Sequence, residues 1–242
     1  KSFARKVETE GNFVNSVVKQ FSGLKVNEEQ VKNVLIKNNF SEKVISWSDK
    51  DLMKFASVLR KESKPTIIAA NKIDMEKSKE NYEKIREKFP KVIIIPCSSD
   101  SELALREAAK LELIEYIPGE KDFKIKGKLN EKQKNALEKI KKNVMDRFGE
   151  TGIQNVLNCA VFELLEYLAV FPASVNKLQD SKGNVLPDCF LLPPGSTALD
   201  FAYFLHTDFG KNFVKAIDTR TKKALGKSYV LKNRDALEIV TR

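Results

Sequence analysis

An α/β protein with a small α+β module at its carboxyl end is the fold class this sequence predicts. Three observations lead there. Two short, unbroken apolar runs, residues 66–70 and 92–95, alternate with polar helical stretches. That alternation belongs to a parallel sheet whose strands are covered on both faces. Beyond Pro172 the texture changes to short strand-like segments around a single helix, as in a small α+β unit. The first forty residues instead space their apolar side chains at helical intervals.

Taken in order, Phe13, Val14, Val17, Val18 and Phe21, then Val31, Val34 and Leu35, predict two amphipathic helices broken at Ser22-Gly23. Asn27 caps the second, with Glu28 and Glu29 in the first turn where the helix dipole favours them. A third helix opens at Ser48-Asp49. It sets Leu52, Phe55, Ala56 and Leu59 on one face and ends before Ser63-Lys64-Pro65. The strand at 66–70 follows, then a polar helix through Tyr82, Ile85 and Phe89, the strand at 92–95, and a helix beginning near Glu102.

Residues 118–147 read as basic and helical, with 10 Lys plus Arg against 4 Asp plus Glu between positions 121 and 148. Such a run is either a solvated face or a surface for an anionic partner. The apolar stretch 156–175 is interrupted by Glu163, Glu166 and Pro172. It reads as a buried helix and its exit, not as a membrane span. Strands are expected at 175–178, 188–192, 213–218 and 237–240, with a glycine turn at 181–184 and a helix at 198–206. Ser196 or Thr197 is the natural cap of that helix, and His206 falls at its carboxyl end, where positive charge suits the dipole.

Composition narrows the function. Forty-three Lys plus Arg against 33 Asp plus Glu give a net charge of +10 over 242 residues, which favours polyanionic partners. Three scattered cysteines, Cys97, Cys159 and Cys189, argue against a disulfide framework or structural zinc and for a reducing cytoplasm. His206 is the only histidine, so multi-histidine metal centres are excluded, as is any Ser-His-Asp hydrolase built on another histidine. No catalytic residue and no protein metal site is assigned. No signal-peptide pattern occurs, and a first residue Lys1 inside a helical pattern points to a piece of a longer polypeptide.

Asn71-Lys72-Ile73-Asp74 directly follows the first apolar strand. It has the Asn-Lys-x-Asp form with which P-loop GTPases read guanine. An Asp74 carboxylate accepts from both N1–H and the exocyclic amine, whereas adenine offers a lone pair at that edge. Asn71 can bond the other edge and tie loops together, while the Lys72 stem lies across the ring. The motif sits at the carboxyl end of a parallel strand, where open α/β sheets bind ligands. The next strand ends in Pro96-Cys97-Ser98-Ser99, the position of a second loop whose N–H groups meet the guanine carbonyl. The competing reading is that Asn71 and Asp74 only cap a strand-to-helix turn.

No Gly-x-x-x-x-Gly-Lys-Ser/Thr phosphate loop occurs. Gly226-Lys227-Ser228 has only its last letters, with Thr221 where the first glycine belongs. Asp180-Ser181-Lys182-Gly183 imitates a metal-proximal motif but follows the base motif instead of preceding it.

With Ile114-Glu115-Tyr116-Ile117-Pro118-Gly119, and Thr151-Gly152 before a helix ending in Phe162-Glu163-Leu164-Leu165, these motifs resemble the archaeal Obg-like, YchF-type GTPases. Pro194-Gly195-Ser196-Thr197-Ala198-Leu199-Asp200-Phe201-Ala202 and Leu205-His206-Thr207-Asp208 resemble a TGS domain, a β-grasp module. The resemblance implies a partial P-loop GTPase-type parallel sheet with a helical insertion, followed by the TGS domain. It divides the chain into a helical insertion (1–47), the carboxyl-terminal half of the GTPase domain (48–117), a helical connector (118–170) and the TGS domain (171–242). It implies GTP as ligand, read by Asn71, Lys72, Asp74, Cys97, Ser98 and Ser99. Mg2+ ligands, phosphate loop and switch regions are then expected in a part preceding this chain, and the chain alone is expected to be inactive as a hydrolase.

The implied partner is the ribosome or structured RNA, with no membrane and no DNA specificity. Eight Lys plus Arg against Asp218 alone between positions 211 and 234 single out Lys222, Lys223 and Lys227 for that contact. The alternative from another class is an RNA- or ribosome-binding adaptor with a vestigial nucleotide site. A TGS-bearing synthetase or hydrolase fragment leaves Asn71 to Asp74 unexplained.

Overall fold

Asn12 starts the first helix because its side chain accepts the N–H of Asn15. The computed structural model describes residues 12–24, 26–179, 182–186 and 188–242. The helical expectation for residues 1–11 lies outside them, as do Ser181 of the glycine turn and Asp180 before it. The chain divides into two compact units, residues 1–68 with 90–93, and residues 69–89 with 94–242.

In the first unit α1 (Phe13–Gln20), α2 (Glu28–Lys37) and α3 (Asp49–Ser63) enclose one core. Phe13, Val17, Val31 and Val34 meet Phe55 and Leu59 there, beside an aromatic group that includes Phe40 and Trp47. Capping boxes at Asn27/Gln30 and Ser48/Asp51 fix the starts of α2 and α3. The helix at 49–63, grouped with the sheet in the sequence division, shares its core with the two helices before it.

β1 (Ile68–Ala70) and β2 (Ile94–Pro96) form a two-stranded sheet. Ile68 N–H bonds Ile93 O, and Cys97 N–H bonds Ala70 O, so the bonds advance in step and the strands run parallel. β1 is not buried on both faces as expected, since Ile68 and Ala69 are exposed while Ile94 and Ile95 are buried. A two-stranded sheet among the described residues has too few layers to cover every strand face. Between the strands lies α4 (Ser78–Lys88), which buries no residue. After β2 comes α5 (Ser99–Lys110), starting at the Ser98 cap and not near Glu102.

Residues 118–147 depart from the helical expectation. β3 (Ile114–Glu115) pairs antiparallel with β4 (Lys124–Ile125), and α6 (Glu131–Ile140) begins only at its Asn130/Gln133 capping box. Leu105, Ile114, Tyr116, Leu137 and Ile140 pack together beneath this arrangement. Two wide turns follow in the helices. At residues 141–145 the N–H of Asp146 reaches back five residues to Lys141 O, and beyond α7 (Asp146–Phe148) and α8 (Ile153–Asn158) residues 159–164 form a second π segment.

The carboxyl-terminal sheet has the order β6-β5-β9-β7-β8, from β5 (Leu168–Pro172), β6 (Phe190–Leu192), β7 (Phe213–Asp218), β8 (Ala224–Leu225) and β9 (Asp235–Thr241). β9 is central, parallel to β5 and antiparallel to β7. The strand expected at 175–178 is displaced: the apolar stretch taken for a helix exit is itself β5, and the later segment only supports an isolated bridge between Gln179 and Val185. α9 (Ala198–Leu205) lays Ala198 and Phe201 on Val170, Ala216 and Leu237, and its capping box is Thr197/Asp200. His206 does more than end that helix, since its Nδ1 accepts the N–H of Asp208 and starts α10 (Thr207–Lys211). Among the described residues no helix is long and apolar enough to cross a membrane.

Candidate functional site

At the carboxyl ends of β1 and β2 two loops meet. The first turns through Lys72, whose φ of 67° lies in the left-handed region. Ile73 is buried behind it and donates its N–H to Cys97 O at 3.3 Å. That anchor leaves Asn71 and Lys72 exposed and Asp74 half-buried on the outer side of the turn.

Side chains then lock the two loops together. Asn71 Oδ1 accepts from Lys72 N at 2.8 Å and from Ser99 N at 3.0 Å. Ser98 Oγ donates to Asp74 Oδ1 at 2.7 Å and bonds the Ser101 hydroxyl at 2.8 Å. The structure therefore brings all six residues expected in the site, Asn71, Lys72, Asp74, Cys97, Ser98 and Ser99, into one loop pair. Their backbone donors are not equivalent. Cys97 N–H is used by Ala70 O and Ser98 N–H by Thr151 O at 2.8 Å. Ser99 N–H lies on the exposed side and is taken by Asn71 Oδ1.

A third segment completes the arrangement. Gly152, at φ +80°, passes so close to the second loop that a Cβ there would stand 2.0 Å from Pro96 O. Thr151, fully buried, gives its hydroxyl to Glu102 Oε2 at 2.5 Å. Tyr116 Oη bonds the same oxygen at 2.7 Å, and Arg106 Nε bonds Oε1 at 2.6 Å. Burial pushes the Glu102 carboxyl up, but the bonds from Thr151, Arg106 and Tyr116 outweigh it and hold it below the ordinary glutamate value. Burial, then the Glu102 carboxylate, push the Tyr116 phenol up to about 12. Sequence reading passed over Glu102, which looks like any charged residue near a helix start. No neighbour in the sequence marks it, since Thr151 stands between Glu150 and Gly152 and Tyr116 follows Glu115.

The basic residues lie apart, on the carboxyl-terminal sheet. All eight Lys and Arg between positions 211 and 234 are exposed. Lys222 Nζ donates to Val175 O at the turn between β7 and β8, while Lys223 and Lys227 are open on either side of β8. Among the described residues no three His, Cys, Asp or Glu side chains cluster to hold a metal.

Residues 69–174 match the family described as Obg-like GTPase YGR210-like, G4 motif-containing domain, and residues 181–241 match the TGS domain. An uncharacterised GTP-binding protein of Methanocaldococcus jannaschii is 41% identical over 241 residues, covering 98% of this chain and 60% of that protein. One of Schizosaccharomyces pombe is 32% identical over 204 residues, covering 80% of this chain and 50% of that protein. The crystal structure of a GTP-binding protein from Pyrococcus horikoshii is similar along 100% of this chain and 64% of its own, with a TM-score of 0.73 and 39% identity. The chain thus spans half to under two thirds of the length of these relatives.

Proposed function

Because this chain belongs to the Obg-like GTPases of the YGR210-like type and carries a TGS domain, we propose that it supplies the guanine-reading part of a GTP-binding protein. The observation that carries the reading is the state of Asp74. Ser98 Oγ holds one carboxylate oxygen at 2.7 Å, and each oxygen has a further lone pair for the N1–H and amine of guanine. Asn71, already joined to Ser99 N, faces the opposite edge of the base, and the exposed Lys72 stem covers its face. Cys97, Ser98 and Ser99 serve the site by placement, since their N–H groups are held by Ala70 O, Thr151 O and Asn71 Oδ1. The experiment is Asp74→Asn in the full protein. Xanthine has a carbonyl where guanine has its amine, so XTP binding improves as GTP binding weakens. Unchanged GTP affinity in a titration refutes the assignment.

Hydrolysis of GTP by the whole protein and a ribosome- or RNA-associated, cytoplasmic role belong to the same proposal. The exposed basic edge formed by Lys222, Lys223 and Lys227 supports the RNA part, since such side chains neutralise phosphates without reading sequence. Among the described residues no acidic cluster forms a Mg2+ site.

A further inference from the structure

We propose that Glu102 is a positioning residue for guanine selectivity, acting on Asp74 through Thr151 and Ser98; this rests on the base-reading role given to Asp74. Glu102 touches no ligand-facing atom. The residue is 4% exposed, and its carboxylate collects three donors from three separate places: Arg106 on its own helix, Tyr116 beyond β3, and Thr151 before α8.

A buried charge is a costly way to fill space, because apolar side chains of similar volume do that as well or better. What the carboxylate adds is direction. Each donor must arrive along a lone pair, so Thr151 is held by its hydroxyl in one orientation. The same residue's carbonyl accepts Ser98 N–H at 2.8 Å. Gly152 then pins the following peptide against Pro96 and Cys97, leaving the elbow no slack. Ser98, fixed at its backbone, aims its hydroxyl at Asp74 Oδ1. The hydrogen-bond path from Glu102 to Asp74 thus has no solvent-exposed link on the Glu102 side: Glu102, Thr151 and Ser98 are all buried.

Selectivity is where this path acts. Asp74 distinguishes guanine from hypoxanthine only by its bond to the exocyclic amine, a contact that tolerates little rotation of the carboxylate. Loosening Ser98 lets Asp74 turn, and the amine bond suffers before the remaining contacts do.

The test is titration of the full protein with GTP, inosine triphosphate and ATP, together with thermal melting of each variant. Thr151→Val removes the hydroxyl at nearly constant volume and is expected to lower GTP affinity about tenfold, narrowing the ratio of GTP to inosine triphosphate affinity. Thr151→Ser keeps the hydroxyl and is expected to restore both. A merely structural role lowers the melting temperature and leaves that ratio alone; an unchanged ratio in Thr151→Val overturns the proposal. If Thr151→Val does not fold, Tyr116→Phe, which removes the other donor to Oε2, reads the same ratio with the same two outcomes. Failure of the underlying reading looks different: the unmodified protein then shows no preference for GTP over ATP.

Discussion

Gly152→Ala is expected to destabilise the protein far more than one methyl group suggests. Its φ of +80° already costs an L residue about 1 kcal/mol. The added Cβ would stand 2.0 Å from Pro96 O and 2.9 Å from Cys97 Cα, where ordinary contacts begin at 3.4 Å. Both obstacles are backbone, so the elbow itself must retreat by more than an ångström. That retreat breaks the bond from Ser98 N–H to Thr151 O and draws the Thr151 hydroxyl away from Glu102. A neutral bond contributes about 1 kcal/mol and one to a buried carboxylate about 2, so the whole loss is about 4 kcal/mol. Urea unfolding followed by circular dichroism measures it. Gly149→Ala is the internal control, because φ there is +86° yet nothing lies within 4 Å of the added carbon. Its loss is expected near 1 kcal/mol. Equal losses at the two positions refute the close-approach argument and leave only backbone handedness.

The other predictions concern pH and salt. Tyr116 titrates near 12 in the folded protein and at 10.0 ordinarily, so its contribution is full below pH 10.0 and is lost as pH rises through about 12. Glu102 is shifted the opposite way; its contribution is present above the ordinary 4.5 and is lost as pH falls through its lowered folded value. Unfolding midpoints across pH check both, with Tyr116→Phe flattening the alkaline limb and Glu102→Gln the acid one. Lys222→Gln, Lys223→Gln and Lys227→Gln together are expected to flatten the salt dependence of RNA binding by about two units of log–log slope, leaving the fold intact. An unchanged slope moves the RNA surface to the basic residues between 121 and 147.

Local signals were read well. Asn27, Ser48 and Thr197 announce helix starts because a cap and its partner lie three residues apart, and Asn71 to Asp74 form one contiguous motif. What escaped depends on distant partners. β5 looks like the end of an apolar helix because its strand character comes from β9, more than sixty residues later. Lysines 121–128 fit a basic helix by composition, and only the pairing of Lys124 and Ile125 with β3 shows otherwise. Within the site, the motif residues were legible, but the Glu102 knot was not. It joins positions 102, 116 and 151, and no periodicity links them.

The two π segments carry a consequence for how this chain tolerates change. A π turn holds a surplus residue relative to an α turn, and each residue of an α-helix advances the chain by about 100°. Deleting one residue from an ordinary α turn rotates everything after it by about that angle, whereas deleting one from 159–164 removes the surplus and lets that stretch close as ordinary helix with little rotation. β5 begins close behind, and Ala169 and Val170 must enter the core in a set phase. Between Cys159 and Leu164, then, the chain has a place where a single-residue gap is taken up by the wide turn, whereas the same gap within β5 would send its side chains to the opposite face of the sheet.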